Sequence, residues 1–223
     1  SYSSLNGDGL LGMGWKIDGI STITRCSMTQ AQDGARGTVK FDANDRFCLD
    51  GQKLFAVSGT YGANGTEYRL EREAFSRVYS YGTTGSGPTW FRVINKSGVT
   101  MDYGYSADSR VIAAGKTSAM VWAQSGVFDR KGNYMTISYG QNAANSEHWP
   151  TRIDYTGHFS NPTLSPYASV QFTYQTRSDQ EERYVSGSIV KVSQRLTGVR
   201  TYFGSTLVKS YNLTYQNGTS TGR

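Results

Sequence analysis

The sequence predicts an all-β protein, built of many short antiparallel strands and hairpins that form a large curved sheet. Three observations carry the prediction. The chain of 223 residues contains 26 glycines and 16 tyrosines but only 4 prolines, and Tyr, Thr, Val and Phe recur with Gly and Asn between them. That is the residue supply of short strands and tight turns. Runs such as residues 169–175 alternate apolar and polar positions with a period of two, as half-buried strands do. One turn plan also recurs, in Phe41-Asp42-Ala43-Asn44-Asp45-Arg46, Ile94-Asn95-Lys96-Ser97-Gly98 and Phe128-Asp129-Arg130-Lys131-Gly132-Asn133. In each an apolar residue enters, Asp or Asn opens the turn, and Gly or Asn/Asp takes the left-handed position before the exit strand. The last two copies return through strands ending in Tyr103-Gly104 and Tyr139-Gly140. The spacing is irregular, so this is a degenerate hairpin repeat and not a strict solenoid.

The chain opens with Gly9-Leu10-Leu11-Gly12-Met13-Gly14-Trp15. Three closely spaced glycines followed by an indole read as a sharp corner with Trp15 as its apolar anchor, and the extended run to Cys26 follows. Residues 30–37 read as a polar loop, and 38–41 as a short strand that turns at 42–45 into the strand 46–49. Asp50-Gly51 leads into 52–57. Residues 67–73 alternate as an amphipathic strand, with one or two helical turns over 68–76 as the other reading. Strand 77–81 is followed by the loop 82–89, a candidate hinge, proteolytic site and domain boundary because it carries Gly82, Gly85, Gly87 and Pro88. Strands are expected at 90–94, 99–104, 121–128 and 134–140, with a short helix or loop at 111–120. Beyond them, strands are expected at 151–156, 169–175, 189–192, 195–202 and 208–215, and a charged exposed stretch at 176–184. Residues 1–215 read as one unit and the Gly/Ser/Thr/Asn-rich residues 216–223 as a linker or truncated end. The absence of an initiator Met points to a piece of a longer protein.

Composition narrows the function classes. A hydrophobic share of 37% is too high for a disordered chain. The net charge of +6 is scattered without a run of basic residues, which argues against a nucleic-acid surface. No apolar stretch approaches the roughly 18 residues of a membrane span. Two cysteines, Cys26 and Cys48, are too few for a disulfide scaffold and fit no metal box; a disulfide in an oxidising compartment and two buried thiols are both open readings.

Candidates for chemistry are sparse. No Gly-Lys-Ser/Thr follows the glycine corner, so it is no phosphate loop. Asp42, Asn44 and Asp45 superficially resemble a calcium loop but lack its glycine and distal glutamate. His148 and His158 lack an obvious third metal ligand, and no Gly-x-Ser-x-Gly elbow supports a catalytic triad. Asp179, Glu181 and Glu182 lie among Arg177, Gln180 and Arg183 and read as a solvated turn. The Asn-x-Ser/Thr sites at Asn64, Asn95, Asn212 and Asn217 matter only in a eukaryotic secretory pathway. An alternative function is a cell-surface adhesion or carbohydrate-binding module using Trp90, Trp149 and the tyrosines of one sheet face. No metal or other cofactor is expected.

Several stretches, taken in order, carry a family resemblance. They are Tyr2-Ser3-Ser4 with the glycine corner, Ile23-Thr24-Arg25-Cys26, Asp45-Arg46-Phe47-Cys48-Leu49-Asp50-Gly51-Gln52-Lys53-Leu54, Trp122 with Asp129-Arg130-Lys131-Gly132-Asn133-Tyr134, Ile153-Asp154-Tyr155-Thr156-Gly157 and Val170-Gln171-Phe172-Thr173-Tyr174. The chain resembles the SpvB/TcB-type segment of bacterial insecticidal toxin complexes, relatives of Rhs and YD-repeat proteins. The resemblance implies a non-enzymatic piece of a secreted or surface-located β-shell that encloses a toxic C-terminal cargo. Its partners would be the remainder of the parent toxin chain, that cargo, and other toxin-complex subunits. SpvB carries a separate ADP-ribosyltransferase domain whose Glu-x-Glu signature has no counterpart here, since Gln180-Glu181-Glu182 is spaced differently. The chain is also far shorter than a closed shell requires.

Overall fold

The computed structural model describes residues 1–3, 7–160 and 162–216. Sixteen strands run in order: β1 (Asp8–Gly9), β2 (Gly12–Met13), β3 (Thr22–Cys26), β4 (Arg46–Leu49), β5 (Gln52–Ser58), β6 (Glu67–Leu70), β7 (Arg77–Tyr81), β8 (Trp90–Ile94), β9 (Thr100–Tyr103), β10 (Arg110–Ile112), β11 (Ala119–Phe128), β12 (Asn133–Asn142), β13 (Glu147–His158), β14 (Ala168–Val185), β15 (Ser188–Phe203) and β16 (Thr206–Asn212). All strand pairs are antiparallel. The all-β prediction therefore holds, and the sheet does more than curve. Strands β3 to β9 pair in sequence, and β11 bonds both β3 and β9, closing eight strands into a barrel.

Strand β11 can close the barrel because it is long and flanked throughout. Val121 pairs with Thr24 on β3 and Val111 on β10, while Phe128 pairs with Thr100 on β9 and Tyr134 on β12. From β12 the sheet leaves the barrel as an open ribbon, β12-β13-β14-β15-β16.

The barrel is filled by rings. Trp122, Phe47, Phe91 and Tyr68 are essentially inaccessible to water. Trp122 meets Phe47 and Phe91 edge-on at 5.4 and 5.1 Å, and its N–H donates to the carbonyls of Pro88 and Thr89 at 3.1 and 3.2 Å. Such edge-to-face pairs are favoured by the ring quadrupoles. Gly104 passes directly over Trp122, and a Cβ there would lie 2.4 Å from the indole.

The same rings explain why the loop 82–89 is not the hinge its glycines suggest. Pro88 is buried, Ser86 Oγ donates to the Phe41 carbonyl at 2.5 Å, and Thr84 bridges to Gly87. The loop plugs one end of the barrel. Residues 42–45 close the same end, and 38–41 form no strand pair with 46–49, which pair with β3 and β5. Asp45 instead accepts the N–H groups of Lys40 and Phe41, both at 2.8 Å, while Phe41 sits at φ 60°. A carboxylate capturing two consecutive donors bends the chain around itself and leaves no ladder to form.

Several other expectations are corrected. Residues 30–33 form a single helical turn within the polar loop. Residues 111–120 contain the end of β10, a tight turn and the start of β11. Residues 189–192 and 195–202 belong to one strand, β15, and 176–184 continue β14. The repeated turn plan is real in its last two copies. Asn95 Oδ1 accepts from Ser97 and Val99 N–H, both at 3.0 Å; Asp129 Oδ1 accepts from Lys131 and Asn133 N–H at 2.8 and 2.9 Å. Gly98 and Gly132 hold the left-handed positions at φ 78° and 90°. The linker expectation over 217–223, Ser4 of the opening motif and the Asn217 site lie outside the described residues.

Candidate functional site

The glycine corner is a two-stranded hairpin in which Asp8 pairs with Met13 and Gly9 with Gly12. Gly12 and Gly14 adopt φ 82° and 80°. Gly14 also has no room for a side chain, since a Cβ would lie 2.6 Å from the Tyr2 ring. Ser3 N–H donates to the Gly14 carbonyl at 2.8 Å, and Tyr2 bridges to Trp15. Trp15 is not the buried anchor expected from the sequence. Its ring lies 5.2 Å from that of Tyr2 and stays 51% exposed. The hairpin is held through its backbone and Asp8, so the indole is not needed to seat it.

What holds the hairpin is a residue far away in sequence. Arg177, 3% exposed, donates to the Gly9 carbonyl at 2.9 Å and pairs with Asp8 at 2.5 Å. The same guanidinium makes a two-pronged bond to Asp179, at 2.9 and 2.8 Å. These charge-assisted bonds raise the Arg177 pKa, and Arg177 holds the Asp179 carboxyl down at about 2. Leu196 N–H, on β15, donates to the Leu10 carbonyl at 2.8 Å and completes the seat.

The clasp exists because β14 bulges. Thr176 pairs with Gln194 and Glu181 with Val192, so residues 177–180 stand opposite a single residue, Ser193. A bulge of this kind swings its side chains out of the ladder, here toward the hairpin, and leaves the partner strand's donors without acceptors. Glu147 supplies them. Its buried carboxylate accepts the Ser193 N–H and hydroxyl at 2.5 and 2.6 Å and the Gln194 N–H at 3.1 Å. The reading of Asp179 with Glu181 and Glu182 as a solvated turn is therefore corrected: all three lie on a strand, and Asp179 is part of a buried ion pair. Sequence spacing carried no signal for the clasp or for Glu147, because Gly9 lies 168 residues from Arg177 and Ser193 lies 46 residues from Glu147.

The remaining candidates are dispersed. Cys26 and Cys48 are joined by a disulfide across β3 and β4, with Cα atoms 6.0 Å apart. Asp45 is bonded to Arg25 at 2.9 Å inside the plugged barrel end. His148 packs its ring against Tyr139, and burial pushes its pKa down to about 4, so it is neutral at pH 7. His158 sits at the far end of β13, where its backbone pairs with Leu164. The structure does not bring the two histidines together with a carboxylate. Trp90 stacks on Tyr81 at 4.1 Å with Tyr105 edge-on at 5.1 Å, and Trp149 covers Gly140 on the neighbouring strand. Among the described residues no group of three or more His, Cys, Asp or Glu could hold a metal ion.

The fold has solved relatives. The N-terminal domain of effector protein SpvB from Salmonella typhimurium strain LT2 matches with a TM-score of 0.76 at 18% identity, over 96% of this chain and 87% of that one. The crystal structure of TcdB2-TccC3-Cdc42 matches with a TM-score of 0.76 at 18% identity over 96% of this chain, which spans 13% of the matched chain. The Tc holotoxin pore of Photorhabdus luminescens matches with a TM-score of 0.71 at 18% identity, over 91% of this chain and 12% of that one. At these identities the likeness is one of fold. A comparison with curated protein sequences finds no match. The family model described as Salmonella virulence plasmid 65kDa B protein covers residues 1–186, and the chain belongs to this SpvB family.

Proposed function

We propose that the chain is a non-enzymatic structural segment of a toxin-encapsulating β-shell in a secreted bacterial protein, and that it helps to hold and deliver a C-terminal toxic cargo. The observation that supports this best is the open end of the ribbon. Every residue of β16 is exposed, including Leu207, Val208 and Tyr211. An edge strand that exposes apolar side chains is a template for further strands, and proteins that leave one normally cover it. A shell built by adding hairpins to a continuous sheet needs such an edge. Shared fold with TcdB2-TccC3 structures, in which the matched region is a small part of a long chain, favours the same reading. The carboxylates suited to chemistry are spent on structure: Asp45 on Arg25, Asp179 on Arg177, and Glu147 on Ser193 and Gln194. The partners in this reading are the rest of the parent chain, its cargo and other toxin-complex subunits, without nucleic acid.

The isolated chain should self-associate through β16 as concentration rises, measured by sedimentation velocity. Leu207→Lys with Val208→Lys should return it to a monomer, because inward or edge charges block strand addition. A wild-type chain that stays monomeric at every concentration would overturn the reading. At the level of the parent reading frame, flanking YD-type repeats and a variable C-terminal toxin segment are expected.

A further inference from the structure

The two ends of the barrel differ. One is plugged by residues 42–45 and 82–89; the other opens into a cavity of about 510 Å³. That size falls within the roughly 300–1,000 Å³ of small-molecule pockets, and barrel mouths are one of their usual places. Its lining includes Leu49, Val93, Met101, Tyr103 and Gln124 of the barrel strands, with Ser21, Asp50 and Ser76 beside them. Residues 16–20, the strap between the glycine hairpin and β3, form one wall. Among the described residues no backbone hydrogen bond ties residues 17–20 to the barrel; Ile20 holds the strap through its side chain, packed against Ala123, Ile137 and Tyr139.

The polar groups in the cavity are arranged, and part of their capacity is unspent. Tyr103 O–H donates to Ser21 Oγ at 3.1 Å, and Ser21 donates to Asp50 at 2.5 Å. Asp50 also accepts the Thr22 N–H at 3.0 Å. This relay leaves lone pairs on Asp50 and Tyr103 as acceptors. Gln124, 4% exposed, uses its Oε1 to accept the Ser21 N–H at 3.4 Å. Its Nε2 donates to no described residue, which leaves two amide donors in the cavity. The apolar lining includes the partly buried Met101, packed on the core residues Leu49 and Val93.

Charge narrows the ligand. Asp50 and Asp18 line the cavity against one cation, Lys16, which is itself paired with Asp18 at 3.4 Å. An anion would meet Asp50 without compensation, while a simple cation would satisfy Asp50 and leave the Gln124 donors facing no acceptor. A neutral ligand carrying both donors and acceptors, with one face of C–H groups, suits every wall. We infer that the open barrel mouth binds a single neutral sugar-type ring, its hydroxyls shared between Gln124 and Asp50 and its C–H face on Met101.

The test is a titration of the full chain followed by ¹H–¹⁵N NMR. The probes are glucose, galactose and N-acetylglucosamine as free sugars, their methyl glycosides standing for a ring at a glycan terminus, and glucuronate as the anionic control. The expected result is that at least one neutral probe shifts the Gln124 side-chain amide together with Ser21 and Met101, with a dissociation constant of about 1 mM or tighter. Free sugar against glycoside then separates a soluble ligand from a glycan end. Gln124→Glu keeps the acceptor for Ser21 and removes the amide donors; it should weaken binding by about tenfold or more. Should that variant fail to fold, the wild-type shift map alone decides. The proposal is overturned if no neutral probe moves these resonances, if the shifts centre away from the mouth, or if glucuronate binds as tightly as glucose.

Discussion

In the barrel, eight strands turn one face inward, and the large side chains there, Trp122, Phe47, Phe91, Tyr68 and Tyr103, lose almost all contact with water. In the ribbon, β12 to β16 carry the same kinds of residue, yet the buried apolar cluster beside it contains only Ala123, Ile137 and Tyr139, and β16 is exposed at every position. Closure is what separates them. A closed sheet has no edge and an inside, so alternation alone creates a core. An open ribbon has two faces and an end, and what it does not bury itself must be replaced by polar clamps or by something added later. The Arg177 clasp and the Glu147 carboxylate are those clamps.

This contrast can be broken experimentally. Trp122→Ala removes the largest fully buried side chain of the barrel and should lower global stability by about 3–5 kcal/mol in urea unfolding. An equal loss from Trp149→Ala, in the ribbon, would erase the distinction. Arg177→Met should cost about 3 kcal/mol by removing the Arg177 guanidinium from the buried Asp8 and Asp179. Its signature is local: faster amide exchange at Gly14 and Leu196, with the Trp122 environment unchanged. Reducing the Cys26–Cys48 disulfide opens a short loop in the barrel wall and should cost about 2–3 kcal/mol, read as a lower midpoint with reductant that a Cys26→Ser, Cys48→Ser chain no longer shows.

Acid should loosen the ribbon first. His148 is held neutral, its pKa lowered from 6.5 to about 4, so its contribution is complete above pH 6.5 and is lost as pH falls through 4. Asp179 and, beside the barrel, Asp33 are both depressed from 3.8 to about 2; their contributions are complete above pH 3.8 and disappear only as pH falls toward 2. The urea midpoint should therefore begin to decline between pH 6.5 and 4, and His148→Gln should flatten that part of the profile. The smallest effect is expected at the ribbon's end, where Val208→Lys should change the stability of the monomer by no more than about 0.5 kcal/mol.

The all-β class and most strands were legible in the sequence because alternation and turn chemistry are local. Asn95 and Asp129 open their turns with the same bonds that residue order suggests. Closure of the barrel was not legible. It depends on Val121 and Phe128 each pairing on both sides of one strand, and no periodicity encodes that. The loop 82–89 misled because its glycines signal freedom, while Pro88 and Ser86 are fixed by residues distant in sequence. Residues 176–184 misled in the opposite way: a dense run of charges normally marks solvent, but a bulge turned Arg177 inward. The glycine hairpin was recognisable as structure; its clasp was not.

The distance between the two halves of that clasp has a consequence for how the chain is made. Asp8 leaves the ribosome well before Arg177, 169 residues later, has been synthesised. At about 5–20 residues per second, the opening hairpin spends on the order of ten seconds without the residue that seats it. Barrel closure also waits for β11. The glycine hairpin thus acquires its final place only after nearly all of this segment has been synthesised, so a nascent chain truncated before β14 should keep residues 7–15 open to protease even when its barrel has closed.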